Sequence, residues 1–128
     1  MDKQKLLELA ERVEGLSGAC REVDAAVVTA LFPDAQVGEY CGYEDIVFHA
    51  APLVANKEFL PFFTASLDSA MTLVPEGYDW VIGRTNGGLT IHAEVGGRGD
   101  EYMRFGETPA LALTAASLRA KAAMIEDE

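Results

Sequence analysis

The stretch Tyr78-Asp79-Trp80-Val81-Ile82-Gly83-Arg84-Thr85-Asn86-Gly87-Gly88-Leu89-Thr90-Ile91-His92-Ala93-Glu94-Val95 decides the fold class. Apolar and polar residues alternate with period two on either side of Asn86-Gly87, the spacing of two half-buried strands. Asn-Gly suits a type I′ turn, whose two central residues both need positive φ. With that turn, Thr85 faces Gly88, and Ile82 pairs with Ile91, Trp80 with Ala93 and Tyr78 with Val95, all on one face. Gly96-Gly97-Arg98-Gly99-Asp100 then leads into a third strand, Glu101 to Phe105. Facing Val95 with Glu101 adds Met103 and Phe105 to the apolar face. The opposite face carries Asp79, Val81, Thr90, His92, Glu94, Tyr102 and Arg104.

Helices flank this meander. Thr108-Pro109 supplies an N-cap and a proline at the first helical position, where a missing N–H costs nothing. Leu111, Ala115, Leu118, Ala122 and Ile125 follow as one stripe, expected to cover the Trp80–Ile91–Phe105 face of the sheet. At the other end of the chain, Leu6, Leu9, Ala10 and Val13 recur at helical spacing over residues 3–14. A second helix is expected from Ala19 to Leu31, ended by Pro33. Ser66 caps a short helix through Leu73. Residues 34–65 read as a long connection holding one short strand or turn around Ile46-Val47-Phe48, tied down by Phe59, Leu60, Phe62 and Phe63. The whole predicts one α+β domain over residues 1–128, a three- to four-stranded antiparallel sheet packed with helices in an α/β/α sandwich-like arrangement.

Composition narrows the function. Of 128 residues, 49% are apolar and 24% charged, as in globular domains, and the net charge is −11. A field of that sign repels nucleic acid and anionic membranes, so neither is expected as a direct partner. It suits a basic groove on another protein. No apolar run approaches the roughly 18 residues of a membrane-spanning helix. The start Met1-Asp2-Lys3-Gln4-Lys5 is too polar for a secretory h-region, so a reducing, cytoplasmic setting and free thiols at Cys20 and Cys41 are expected.

Few residues carry candidate chemistry. His92, Glu94, Tyr102, Arg104 and Asp79 on one sheet face could hold a small anionic ligand or perform acid–base work, against the plainer reading of a solvated face with cross-strand pairs. Arg84 and Arg98 could join Arg104 in an anion site only across subunits of a homo-oligomer, because they belong near opposite ends of the sheet. Gly96-Gly97-Arg98-Gly99 lacks the strand–loop–helix context of a phosphate loop. Cys41 and His49, eight apart, have no activating context, and two His and two Cys at unrelated spacings match no zinc pattern. No cofactor, metal site or catalytic residue is assigned.

Three segments carry a family resemblance. Thr64-Ala65-Ser66-Leu67-Asp68-Ser69-Ala70-Met71-Thr72-Leu73-Val74-Pro75-Glu76-Gly77 resembles the Y-T-A-S-L-D-A-A-L-x-L-V-P-E-G signature of the phage ABA sandwich domain family. Thr108-Pro109-Ala110-Leu111-Ala112-Leu113, with Ala116, Leu118, Arg119 and Ala120, is similar to its C-terminal helix. Leu16-Ser17-Gly18 with Arg21-Glu22-Val23-Asp24-Ala25 resembles its G-P-D-R-E-L-D helix start, with Ala19-Cys20 in place of Pro-Asp. The resemblance implies a sandwich of helices and sheet encoded by a phage or prophage, and it carries over no catalytic residue. The leading expectation is a non-enzymatic accessory protein acting by binding, inhibiting a host defence protein through its acidic surface. Behind it come an oligomeric sponge for a small signalling nucleotide, a virion structural component, and an uncharacterised enzyme using the His92 face.

Overall fold

The computed structural model describes residues 2–32, 35–40, 43–49, 57–85, 87, 90–97 and 100–125. Their order is α1 (Lys3–Glu14), α2 (Arg21–Leu31), β1 (Ala35–Tyr40), β2 (Tyr43–His49), β3 (Lys57–Phe59), α3 (Leu67–Met71), β4 (Asp79–Thr85), β5 (Thr90–Gly97), β6 (Asp100–Gly106) and α4 (Pro109–Ala123). The result is an α+β fold in which helices pack on an antiparallel three-stranded sheet.

Local chemistry sets the helix ends. Asp2 accepts a hydrogen bond from the Gln4 N–H at the start of α1, Ser66 accepts from Ser69 before α3, and Thr108 accepts from Leu111 before α4. Each occupies an otherwise unsatisfied amide of a first turn. Pro109 sits at the start of α4 as expected. The second helix begins at Arg21 rather than Ala19, with Cys20 extended as its cap.

Residues 35–59 depart most from the sequence reading. Instead of one short strand in a long connection, β1, β2 and β3 form a second antiparallel sheet. Ile46-Val47-Phe48 lies within β2, where Val47 faces Val37 on one side and Glu58 on the other. Ala35-Gln36-Val37-Gly38-Glu39-Tyr40 has weak alternation and an internal glycine, so its pairing with β2 was not legible from period alone. Pro33, Asp34, Cys41 and Gly42 lie outside the described residues.

The β4–β6 meander exists as read, with two changes of register. Thr85 pairs with Thr90, not Gly88, so the connection has four residues; Asn86 lies outside the described residues and Gly87 has φ +68°. Ile82 therefore faces Ala93, and Trp80 faces Val95. A two-residue shift leaves every side chain on its expected face, which is why the apolar pattern could not reject it. The second change is larger in effect. Val95 faces Tyr102, not Glu101, and the pairing runs to Gly97–Asp100. That slip of one residue sends Tyr102 and Arg104 to the helix side and leaves Met103 and Phe105 47% and 50% exposed on the outer side. Close packing enforces it. Gly106 lies against α4 so tightly that a Cβ there would fall 2.6 Å from the Ala112 amide nitrogen.

Helix α4 is the middle layer and is buried nearly all round, so it carries two apolar faces rather than one. Leu111, Ala115, Leu118 and Ala122, the stripe expected on the sheet, pack instead with Leu6, Leu9 and Val13 of α1 and Val23 and Val27 of α2. The sheet meets the other side of α4, where Ala110, Ala112, Leu113, Ala116 and Ala120 lie with Ala93 and Val95. Small residues there let sheet and helix approach closely. Of the expected sheet core, Ile91 packs on this cluster, whereas Trp80 is 39% exposed.

Candidate functional site

Register alone arranges the outer face of the β4–β6 sheet in rows across three strands. The first is Asp79–Gly96–Glu101, the second Val81–Glu94–Met103 and the third Gly83–His92–Phe105. Two carboxylates thus flank a glycine, and a shallow hollow of about 330 Å³ opens there, lined by Asp79, Trp80, Val81, Glu94, Gly96, Gly97 and Glu101. Three of these are acids and none is basic. Val81, Met103 and Phe105, each about half exposed, continue the surface away from the hollow.

The third row is held by ring packing. The His92 ring lies over Gly83, where an added Cβ would come within 2.9 Å of it, and meets Phe105 edge-on with ring centroids 6.4 Å apart. His92 Nδ1 is buried without a hydrogen-bond partner among the described residues. A ring spent on covering a glycine backbone is a packing element of the sheet. Tyr78 does the same over Gly97 on the side of the α4 core.

Comparison with family models, with curated proteins and with solved structures returned no match. The phage-family resemblance accordingly rests on the sequence segments quoted above.

Of the residues singled out from sequence, Asp79, His92 and Glu94 share the outer face. Tyr102 and Arg104 do not join them. His92 faces Phe105, and Arg104 faces Ala93 on the helix side, where its Nε lies 3.9 Å from Glu14 Oε1. Glu14 is in turn gripped by Arg119, whose Nε and Nη2 donate to the carboxylate at 3.0 and 2.8 Å. Arg84 is exposed on the β4 edge, opposite Ile91. Arg98 and Cys41 lie outside the described residues. The described arginines are therefore spread over separate surfaces, and the His–Glu–Tyr–Arg constellation expected on one face is divided between two.

Sequence reasoning missed Met103, Phe105 and Glu101 as outward-facing residues. Their parity depends on how many residues the glycine-rich connection spends before pairing resumes, and glycine leaves that open.

The best-connected polar group lies elsewhere. Asp24, fully buried, accepts from the Thr64 N–H and hydroxyl, both at 2.9 Å, and from Arg21 Nη1 at 2.9 Å. Thr64 Oγ1 also accepts from the Cys20 N–H at 2.8 Å. Arg21 donates to the Leu60 and Pro61 carbonyls and stacks over Phe62 at 3.9 Å. This network fastens the start of α2 to the segment after β3, and its carboxylate has no solvent access. Among the described residues no group of three His, Cys, Asp or Glu is placed to hold a metal, and no helix is long and apolar enough to cross a membrane.

Proposed function

We propose that this chain is a non-enzymatic binding protein whose outer sheet face docks a partner protein through a basic, partly apolar segment. The observation that carries the proposal is the continuity of Val81, Met103 and Phe105 with the hollow lined by Asp79, Glu94 and Glu101. Half-exposed apolar side chains on a sheet gain by being covered, and adjoining carboxylates with no cation among the described lining residues favour a cationic companion. The net charge of −11 would steer such a partner from a distance and repel polyanions. A host protein with a basic groove has this chemistry, and the phage-family resemblance makes counter-defence inhibition the biological setting proposed for it. Sequestration of a small anionic nucleotide gains no support, since the described lining of the hollow brings three carboxylates and no cation.

The test is titration of isotope-labelled protein with a short peptide alternating arginine and leucine, followed by NMR. The expected shifts centre on Val81, Glu94, Met103 and Phe105, weaken as salt is raised, and vanish in a Met103→Ser, Phe105→Ser variant. A peptide in which glutamate replaces arginine should not bind. Binding undiminished in the double variant, or no binding at low salt, would overturn the proposal.

A further inference from the structure

Strand β4 is the first strand of its sheet. It pairs with β5 on one side and, among the described residues, with no strand on the other. Its seven-residue ladder runs without a bulge, and Asp79-Trp80-Val81-Ile82-Gly83-Arg84-Thr85 contains no proline or lysine. Those are the usual devices that keep an edge from pairing. Trp80 and Val81 are 39% and 55% exposed, and Arg84 and Thr85 are exposed beyond them. The opposite edge differs, because β6 lies against α1 as well as α4.

We propose that a second copy of this chain pairs with β4 antiparallel about a twofold axis at Ile82, making a continuous six-stranded sheet. Self-complementarity selects this occupant. A twofold axis normal to the sheet keeps outer residues on the outer side, so partners must share a face. Centred on Ile82, the register sets Trp80 against Arg84 of the second copy, Val81 against its Gly83 and Asp79 against its Thr85. An arginine then meets an indole face twice. Asp79 and Arg84 sit at opposite ends of the strand, so antiparallel pairing brings unlike charges to each end. The outer faces of both copies lie on the same side, and Thr85 of the second copy adds its hydroxyl to the rim of the hollow beside Asp79.

Sedimentation equilibrium across concentration and salt tests this. The expected result is a species of twice the 13.8 kDa chain mass that strengthens as salt is raised, because screening relieves repulsion between two chains of −11. Val81→Lys should leave a folded monomer by circular dichroism. If that variant is misfolded, Arg84→Glu tests the same edge from an exposed position and should also give a monomer. Mixing Asp79→Cys with Thr85→Cys protein should give an oxidised cross-link that neither variant forms alone. A monomer under all conditions, a dimer indifferent to the edge variants, or no mixed cross-link would overturn the proposal. Peptide binding at the outer face has the opposite salt dependence, so the two proposals fail separately.

Discussion

Asp24 and Thr64, forty residues apart in the chain, share a buried hydrogen bond of 2.9 Å between Thr64 Oγ1 and Asp24 Oδ1. The same carboxyl oxygen accepts from the Thr64 amide, so one residue of α2 fixes both the backbone and the side chain of the segment leading to α3. These residues belong to two of the segments that carry the phage-family resemblance. Their spatial contact gives that pair of sequence patterns a common physical purpose.

Thr64→Val preserves shape and removes the hydroxyl from this network. Because Asp24 keeps the Thr64 amide and Arg21, the expected loss is about 1–2 kcal/mol. Asp24→Ala leaves the buried Thr64 amide without its acceptor and takes one acceptor each from the Thr64 hydroxyl and Arg21, which keep the Cys20, Leu60 and Pro61 carbonyls, so it should cost more, about 2–3 kcal/mol. Urea denaturation of both variants checks the order. Equal effects would mean that the network is not organised around the carboxylate.

Glycine replacement separates two close approaches. At Gly106 the new Cβ meets backbone of α4 at 2.6 Å, whereas at Gly83 it meets the tip of the His92 ring at 2.9 Å. A ring can rotate away and a helix backbone cannot. Gly106→Ala should therefore destabilise by about 1–3 kcal/mol, and Gly83→Ala by a smaller amount, read as midpoint shifts in thermal or urea unfolding.

Phe105→Ala tests the β5–β6 register directly. A phenylalanine in the core costs about 3–5 kcal/mol on truncation to alanine. At 50% exposure on the outer face, the expected cost is below about 1 kcal/mol, while peptide binding at that face falls. A core-sized loss of stability would restore the register that alternation alone suggested.

Lys121, near the end of α4, has its pKa lowered from the usual 10.5 by desolvation. The folded state therefore binds fewer protons than the unfolded chain in the window just below 10.5. Stability should rise with pH through that window as the unfavourable charge is lost. Lys121→Met should remove the rise and stabilise the protein modestly at neutral pH. A flat alkaline profile in the parent chain would contradict the assigned desolvation.

Much of the fold is legible from residues alone because it depends on local spacing. Thr108-Pro109 marks the start of α4, Leu6, Leu9 and Val13 mark the buried side of α1, and Tyr78 to Phe105 reads as a meander. The candidate site was only half legible. Asp79 and Glu94 were placed on the correct outer face, since a hairpin slip of two residues does not change parity. Met103, Phe105, Tyr102 and Arg104 were exchanged between faces, since the second connection slipped by one. Strands β1 and β3 were missed because their short runs lack a strong alternation, and pairing with β2 supplies what local propensity does not.

What the sequence by itself determined is the helices, from their apolar period and caps, the β4–β6 meander, from alternation, and an acidic chain of −11. Tertiary structure decided which faces meet. Helix α4 has two apolar faces, so its sequence could not say which stripe would take α1 and which the sheet. Packing chose, because Leu111 and Leu118 fill the space between helices while Ala110, Ala112, Ala116 and Ala120 allow the sheet to approach. The same closeness, with Gly106 against the backbone of Ala112, fixes the parity of β6 and turns Met103 and Phe105 outward.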